Sequence, residues 1–257
     1  MYSVTQRVEM IKQPRGGYLK TGMFVREEFD DGIKLNGNEN VAPSIVGMVV
    51  DYLTRYMCGC SPKQAFSVSL LGAKRLDAYN NTTEEVASAY ALIDKINGLS
   101  DESIISACQL VRYDVCVRAS CKDYIFNEME PDEYAISNIR NMVNRSLEFL
   151  AKDGNTVRSN ITFEGGYTEI ISTGDADYLT QDALWDMKVS KHELNAEYTL
   201  QLLVYYLMGL RSDPDLFEKV KKIGFFNPRK NICYWIDISF IPQSVISVVS
   251  REVIGYE

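Results

Sequence analysis

Histidine is almost missing from this chain: its 257 residues include one, His192. Catalytic zinc usually takes several His ligands, and a serine or cysteine nucleophile usually needs a His base, so one His leaves little room for either chemistry. The common glycine-framed signatures are absent too. No G-x-S-x-G, G-x-x-x-x-G-K-[ST] or G-x-G-x-x-G occurs, which removes the nucleophile elbow, the P-loop and the dinucleotide fingerprint. Six cysteines stand at 58, 60, 108, 116, 121 and 233 without a C-x-x-C pair. They read as small buried apolar residues, not as disulfides or metal ligands. Positive charge is in deficit, with 27 Lys plus Arg against 35 Asp plus Glu and a net charge of −8. That balance argues against a general polyanion-coating protein and confines any nucleic-acid contact to a local patch. Long apolar runs are lacking as well. The most nearly unbroken one, residues 200–210, is about half of the ~20 residues a membrane-spanning helix needs. The opening residues lack the charged-then-apolar run of a secretory signal. The expectation is a cytoplasmic protein with no membrane segment.

What is present is the composition of an ordinary globular protein. With 46% hydrophobic and 24% charged residues, the chain can bury a substantial core without staples. Residues 1 to about 40 mix Gly, Asn, Asp and Glu and read as irregular structure. Apolar residues at helical spacing predict helices over 42–57, 62–77, 83–96 and 101–120. The last three are preceded by Ser61, Thr82 or Thr83, and Ser100 or Asp101, residues able to cap an N-terminus. Another helix is expected from 131–133 to Leu150 or Lys152, where Asp153-Gly154-Asn155 stops it.

Beyond that point the period changes from helical to alternating. Residues 157–163 read as a strand, Glu164-Gly165-Gly166 as a tight hairpin turn and 167–172 as the returning strand. Extended structure continues over 175–179, Thr180-Gln181-Asp182 turns, and 183–189 is the next strand. A long helix over 195–210, strands at 220–226 and 231–239, and a terminal helix over 242–253 complete the reading.

One constellation carries chemistry. Gly174-Asp175-Ala176-Asp177 is followed, nine residues after Asp177, by Asp186-Met187-Lys188, the one D/E-x-K in the chain. Side chains on a strand alternate faces, so Asp186 and Lys188 point the same way and Met187 the other. A short turn brings Asp177 beside Asp186. Two carboxylates so placed repel unless a cation sits between them or one is protonated. The natural cation is magnesium, which takes a few carboxylates plus waters and phosphate oxygens. Lys188 can then orient a water or stabilise negative charge developing on phosphoryl oxygens. Gln201 and Tyr205 lie one helical turn apart and share a face. The bland alternative is two acids on a solvated sheet face with Lys188 neutralising them. Against it, Asp186 sits within Ala-Leu-Trp-Asp-Met-Lys-Val, where an unpaired buried acid would be expensive.

The pattern G-x-x-D, then D-x-K on the next strand, then Q-x-x-x-Y on the following helix resembles the PD-(D/E)XK nuclease superfamily, specifically its RecB-like branch. The matching positions are Gly174 and Asp177, Asp186 and Lys188, and Gln201 and Tyr205, and the resemblance covers about 155–240. Residues 62–130 have no counterpart. The resemblance implies an α/β fold with a restriction-endonuclease-like mixed sheet, an αβββαβ core flanked by helices. It also implies Mg²⁺ or Mn²⁺ held by Asp177, Asp186 and the main-chain carbonyl of Met187, and hydrolysis of DNA phosphodiester bonds. Such nucleases often add an acid from the helix before the sheet. Glu148 is best placed for that role, Asp51 is a rival, and Asp175 is a further candidate ligand. The CRISPR-adaptation relatives hold an iron-sulfur cluster with one upstream and three downstream cysteines. Only Cys233 follows Tyr205 here, so no cluster is expected.

The sequence and the resemblance together lead to the expectation of one compact unit, a mostly helical portion over 1–131 packed on a nuclease-like core over 132–257. The expected activity is that of a Mg-dependent deoxyribonuclease with DNA as partner. The alternative is a nuclease-fold protein that no longer cleaves and serves as a nucleic-acid- or protein-binding module; RNA cleavage would change only the substrate. Lys219, Lys221, Lys222, Arg229 and Lys230 are the basic set for phosphate contact or, equally, a plain solvated face. His192 reads as a solvated turn residue.

Overall fold

Contacts within the chain divide it into two units. The computed structural model describes residues 1–125, 130–154 and 156–257. Asn155 of the expected helix stop lies outside the described residues. One unit is Met1–Asp30 with Phe149–Glu257, the other Asp31–Glu148. In chain order the helices are α1 (Val4–Met10), α2 (Pro43–Met57), α3 (Pro62–Ala65), α4 (Ser67–Asn80), α5 (Glu84–Asp94), α6 (Asp101–Leu110), α7 (Val115–Arg118), α8 (Glu133–Lys152), α9 (Ala196–Ser212), α10 (Pro214–Phe217) and α11 (Gln243–Val248). The strands are β1 (Tyr2–Ser3), β2 (Val25–Glu28), β3 (Arg158–Thr162), β4 (Ile171–Thr173), β5 (Asp175–Leu179), β6 (Ala183–Met187), β7 (Lys222–Asn227) and β8 (Ile232–Asp237). No helix among the described residues is long and apolar enough to cross a membrane.

The sheet unit is α/β, with a mixed six-stranded sheet in the order β2-β8-β7-β6-β5-β3, flanked by helices. Its one parallel pair is β6 with β7, and the other neighbours run antiparallel. Parallel neighbours need a crossover connection, and α9 supplies it. Side-chain alternation divides the core by sheet face. Leu179, Leu184, Ile223, Phe225 and Ile236 pack with Leu203, Val204 and other α9 side chains. Tyr178, Ala183, Trp185, Phe226 and Cys233 pack with Phe149 and Leu150 from the last turn of α8. Phe149 stacks on Phe226 with ring centroids 4.2 Å apart and meets Trp185 edge-on at 4.7 Å. The sequence suggests an amphipathic α9; the structure buries every residue from Thr199 to Gly209, because the sheet lies on one side and N-terminal elements on the other.

Those N-terminal elements are the main departure from the expected organisation. Residues 1–30 belong with the sheet, where β2 pairs antiparallel with β8 and forms an edge strand. α1 is anchored by the fully buried Val4 and by Val8. The Arg7 guanidinium donates to the carbonyls of Glu252 and Val253 at the C-terminal end of the terminal helix, which continues beyond α11 as a π-helical turn over Val249–Ile254. Thr199 Oγ1 donates to Leu19 O at 2.6 Å, fixing the segment after α1 against α9.

The tight hairpin expected at Glu164-Gly165-Gly166 does not form. β3 pairs with β5, not with the segment after the turn, and β4 pairs parallel with β1. The physical reason is local packing. Tyr167 OH accepts from Phe163 N at 3.2 Å and donates to Gly174 O at 3.1 Å, closing an excursion between β3 and β5. A Cβ at Gly166 would stand 2.6 Å from Met208 O, so this glycine allows α9 to approach closely.

In the helical unit the expected 62–77 helix is interrupted at Phe66, giving α3 and α4. The expected 101–120 helix tightens into a 3-10 turn over Val111–Asp114 before α7. The fully buried Asp114 accepts there from Tyr52 OH at 2.6 Å and Ser69 Oγ at 2.5 Å. Ser61 and Ser100 cap α3 and α6 as their positions suggest. For α5 the donors go instead to Asp77, which accepts from Glu85 N and Val86 N. Burial opposes ionisation of Asp77, but these bonds dominate and lower its pKa.

Candidate active site

The site forms where β5 and β6 stop pairing. Their ladder covers Tyr178↔Trp185 and Leu179↔Leu184 only. One step further the register would set Asp177 opposite Asp186. Instead of a backbone bond, the Asp177 carboxylate accepts from Met187 N at 2.7 Å, so this acid is bound to the end of β6. Lys188 N donates to Phe226 O at 3.0 Å, which continues the β6–β7 alignment past the last strand residue. Gly174 is required just before this point. A Cβ there would lie 2.5 Å from Val4 Cγ2 and 3.5 Å from Tyr205 Cε1, so the glycine of G-x-x-D lets α1 and α9 meet over the start of β5.

Asp186 is 3% exposed. Its Oδ2 lies 2.8 Å from Lys188 Nζ, close enough for an ion pair, yet no donor reaches that oxygen with hydrogen-bond geometry. The ammonium neutralises this oxygen as an ion-pair partner while leaving it without a well-aligned hydrogen bond. Burial pushes the Asp186 pKa up, and the neighbouring Asp175 carboxylate adds to this while Lys188 opposes it. For Lys188 burial alone would lower the pKa, but Asp186 and Asp177 outweigh it and hold the amine protonated.

The ammonium has two further neighbours, both on α9. It donates to Gln201 Oε1 at 3.1 Å and lies 5.2 Å from the centre of the Tyr198 ring, a cation–π distance. Gln201 Nε2 donates in turn to Tyr205 OH at 2.8 Å and to Thr5 Oγ1 at 3.0 Å. Tyr205 is buried; burial first, then Asp186, Asp175 and Asp177, raise its pKa far above that of a free phenol. The phenol therefore keeps its proton and serves as a hydrogen-bonding group.

Asp177, Asp186, Met187, Lys188, Gln201 and Tyr205 thus share one neighbourhood in the sheet unit, with Asp175 exposed at its margin. Glu148 belongs to the other unit and is exposed. The Asp51 carboxylate is engaged by Arg55 at 2.9 and 2.5 Å. His192 is exposed, and its backbone N–H donates to Ser190 Oγ. The basic set is dispersed. Lys222 pairs with Asp153 at 2.5 Å and Lys230 with Glu193, at opposite ends of β7 and its following turn. Sequence reading missed Thr5 and Tyr198. Tyr198 had a usable signal, since it lies three residues before Gln201 on the same helical face. Thr5 had none.

Among the described residues no three His, Cys, Asp or Glu side chains group as metal ligands. Two carboxylates and the Met187 carbonyl still suit a hard cation that keeps several waters, which is the habit of Mg²⁺. The undonated Asp186 oxygen is the feature a cation would satisfy. A cavity of about 800 Å³ in this unit is lined by Tyr167, Thr168, Arg211 and Tyr256, among others, and by none of the site residues. A cation needs converging oxygens more than enclosed space, so the carboxylates are a better candidate than that cavity. Comparison with protein-family models, with curated proteins and with solved structures gives no match.

Proposed function

We propose that the protein is a metal-dependent nuclease that hydrolyses DNA phosphodiester bonds, built on a PD-(D/E)XK-like core in which α8, β3, β5, β6, α9 and β7 make the αβββαβ series. The observation that carries this reading is the buried Asp186 carboxylate, with one oxygen lacking a directed donor, next to an ammonium two residues on. A sheet built for stability alone would place an apolar residue there, as replacing buried ion pairs with well-packed apolar groups is often neutral or stabilising. Asp177, Asp186 and the Met187 carbonyl would hold Mg²⁺ or Mn²⁺. A bound divalent ion supplies Lewis acidity to a phosphoryl oxygen and to the attacking water.

The chain's own groups do the rest. Lys188 brings a positive charge to the face where phosphoryl oxygens gain negative charge, and it orients the water. Gln201 holds Lys188 in place. Tyr205 supplies a neutral hydroxyl that accepts from Gln201. The water oxygen bonds to phosphorus and gives up one proton to solvent, one P–O ester bond breaks, and the departing oxygen takes up a proton from solvent to leave as a hydroxyl.

A second reading, a nuclease-fold module that binds without cutting, is favoured by charge. The net charge is −8, and both Lys222 and Lys230 are already neutralised within the chain. Supercoiled, linear and single-stranded DNA incubated with Mg²⁺, Mn²⁺ or EDTA discriminates the two. The nuclease reading expects metal-dependent cutting that Asp186→Asn and Lys188→Met abolish. Tight DNA binding with no cutting under any of these conditions supports the module, and cutting unaffected by both substitutions overturns the site.

A further inference from the structure

Lysine can only donate hydrogen bonds, so the Gln201 carboxamide must turn its oxygen toward Lys188. Its NH₂ then needs acceptors on the opposite side, in a place where Gln201 is only 8% exposed. Two hydroxyls meet that need. Tyr205 comes from the same helix, whereas Thr5 comes from α1, 196 residues away in sequence. The placement of Thr5 is held from several directions. Val4 is fully buried against the position of Gly174, Ser3 and Gln6 form a capping box at the start of α1, and Arg7 donates to two carbonyls of the terminal helix. Thr5 itself is exposed.

We propose that Thr5 is a positioning residue of the catalytic site, acting through Gln201 on Lys188. Its hydroxyl accepts the outer N–H of the carboxamide and prevents the amide from turning over, an inversion that would set an NH₂ against the ammonium. The first thirty residues are then part of the site and do more than edge the sheet. The effect on turnover rests on the hydrolase reading above; the effect on the amide does not.

The experiment compares wild type with Thr5→Val and Thr5→Ser. Thr5→Val keeps the shape and removes the acceptor, and because the residue is exposed, the unfolding midpoint stays at the wild-type value. On whichever DNA form the wild type cuts, kcat falls about tenfold with KM within about twofold, the pattern of an interaction that orients the reacting groups without binding substrate. Thr5→Ser restores most of the loss. A second readout is independent of activity: the Gln201 side-chain amide resonances in nitrogen–proton NMR spectra, identified by their loss in Gln201→Leu. They shift in Thr5→Val and return in Thr5→Ser. Unmoved Gln201 resonances in Thr5→Val overturn the proposal, as does unchanged kcat in an enzyme that cuts. If the wild type cuts no DNA, the hydrolase reading falls, and the amide spectrum alone decides the Thr5 contact.

Discussion

Gly174→Ala tests how tightly the N-terminal helix is built into the site. The added Cβ would stand 2.5 Å from Val4 Cγ2 and 3.2 Å from Val4 Cβ, against the ~3.5–4.0 Å of an ordinary carbon–carbon contact. The overlap is therefore about 1 Å, with a side chain that is fully buried. Val4 has little freedom to move aside, since a β-branched residue in a helix keeps essentially one χ1 rotamer and Arg7 ties α1 to the terminal helix. Overpacking of this kind costs about 1–3 kcal/mol. Val4→Ala alone removes two buried methyl groups, which costs about 1–3 kcal/mol. In the double variant the new methyl fills part of the space Val4 vacates, so the two losses do not add. The double-mutant cycle should show a favourable coupling of about 1–2 kcal/mol. Urea denaturation followed by tryptophan fluorescence reads the correct unit, because both tryptophans, Trp185 and Trp235, lie in it. Additivity within about 0.5 kcal/mol would refute the claimed contact between α1 and the G-x-x-D glycine.

Asp153 accepts from Thr180 Oγ1 at 2.7 Å, Trp185 Nε1 at 2.5 Å and Lys222 Nζ at 2.5 Å, so Asp153→Ala strands three donors; it should cost about 3–5 kcal/mol in the same assay, and a loss under about 1 kcal/mol would contradict this network. In the helical unit, the Arg145 guanidinium bonds Asp31 at 2.6 and 2.9 Å and lowers its pKa below the ordinary 3.8, with burial opposing. A depressed carboxylate contributes stability that is present above its unfolded pKa and is lost as pH falls through the folded value. Asp31→Asn should therefore lower the urea midpoint, followed by far-ultraviolet circular dichroism, at neutral pH, and the gap to wild type should shrink at pH values below 3.8; a gap independent of pH would exclude the ion pair as its source.

Local signals were legible and distant ones were not. Ser61 and Ser100 cap helices where their residue types suggest, because a cap bonds N–H groups two or three residues away. The D-x-K spacing likewise sets Asp186 and Lys188 on one face through the two-residue period of a strand. The hairpin expected at Gly165-Gly166 failed because Gly166 serves a close approach of α9, at Met208 O, that is remote in sequence. Residues 1–30 looked irregular, yet they supply β2 to the sheet edge and Thr5 to the site. Short elements like these owe their order to partners roughly two hundred positions along the chain, and composition carries no trace of that. The basic set left phosphate contact and a solvated face equally open from its closeness in sequence; in the fold β7 and its turn separate the members and two are paired with acids.

If the protein is the nuclease proposed above, Asp177 and Asp186 together receive a divalent cation. Isothermal titration of the metal-free protein with Mn²⁺ tests it most directly. Wild type should bind saturably, and binding should weaken at least about tenfold, or ~1.4 kcal/mol, in both Asp177→Asn and Asp186→Asn, with the folded state of each variant verified by its tryptophan fluorescence. Folded variants that bind Mn²⁺ as tightly as wild type, or a wild type that takes up none, would contradict it.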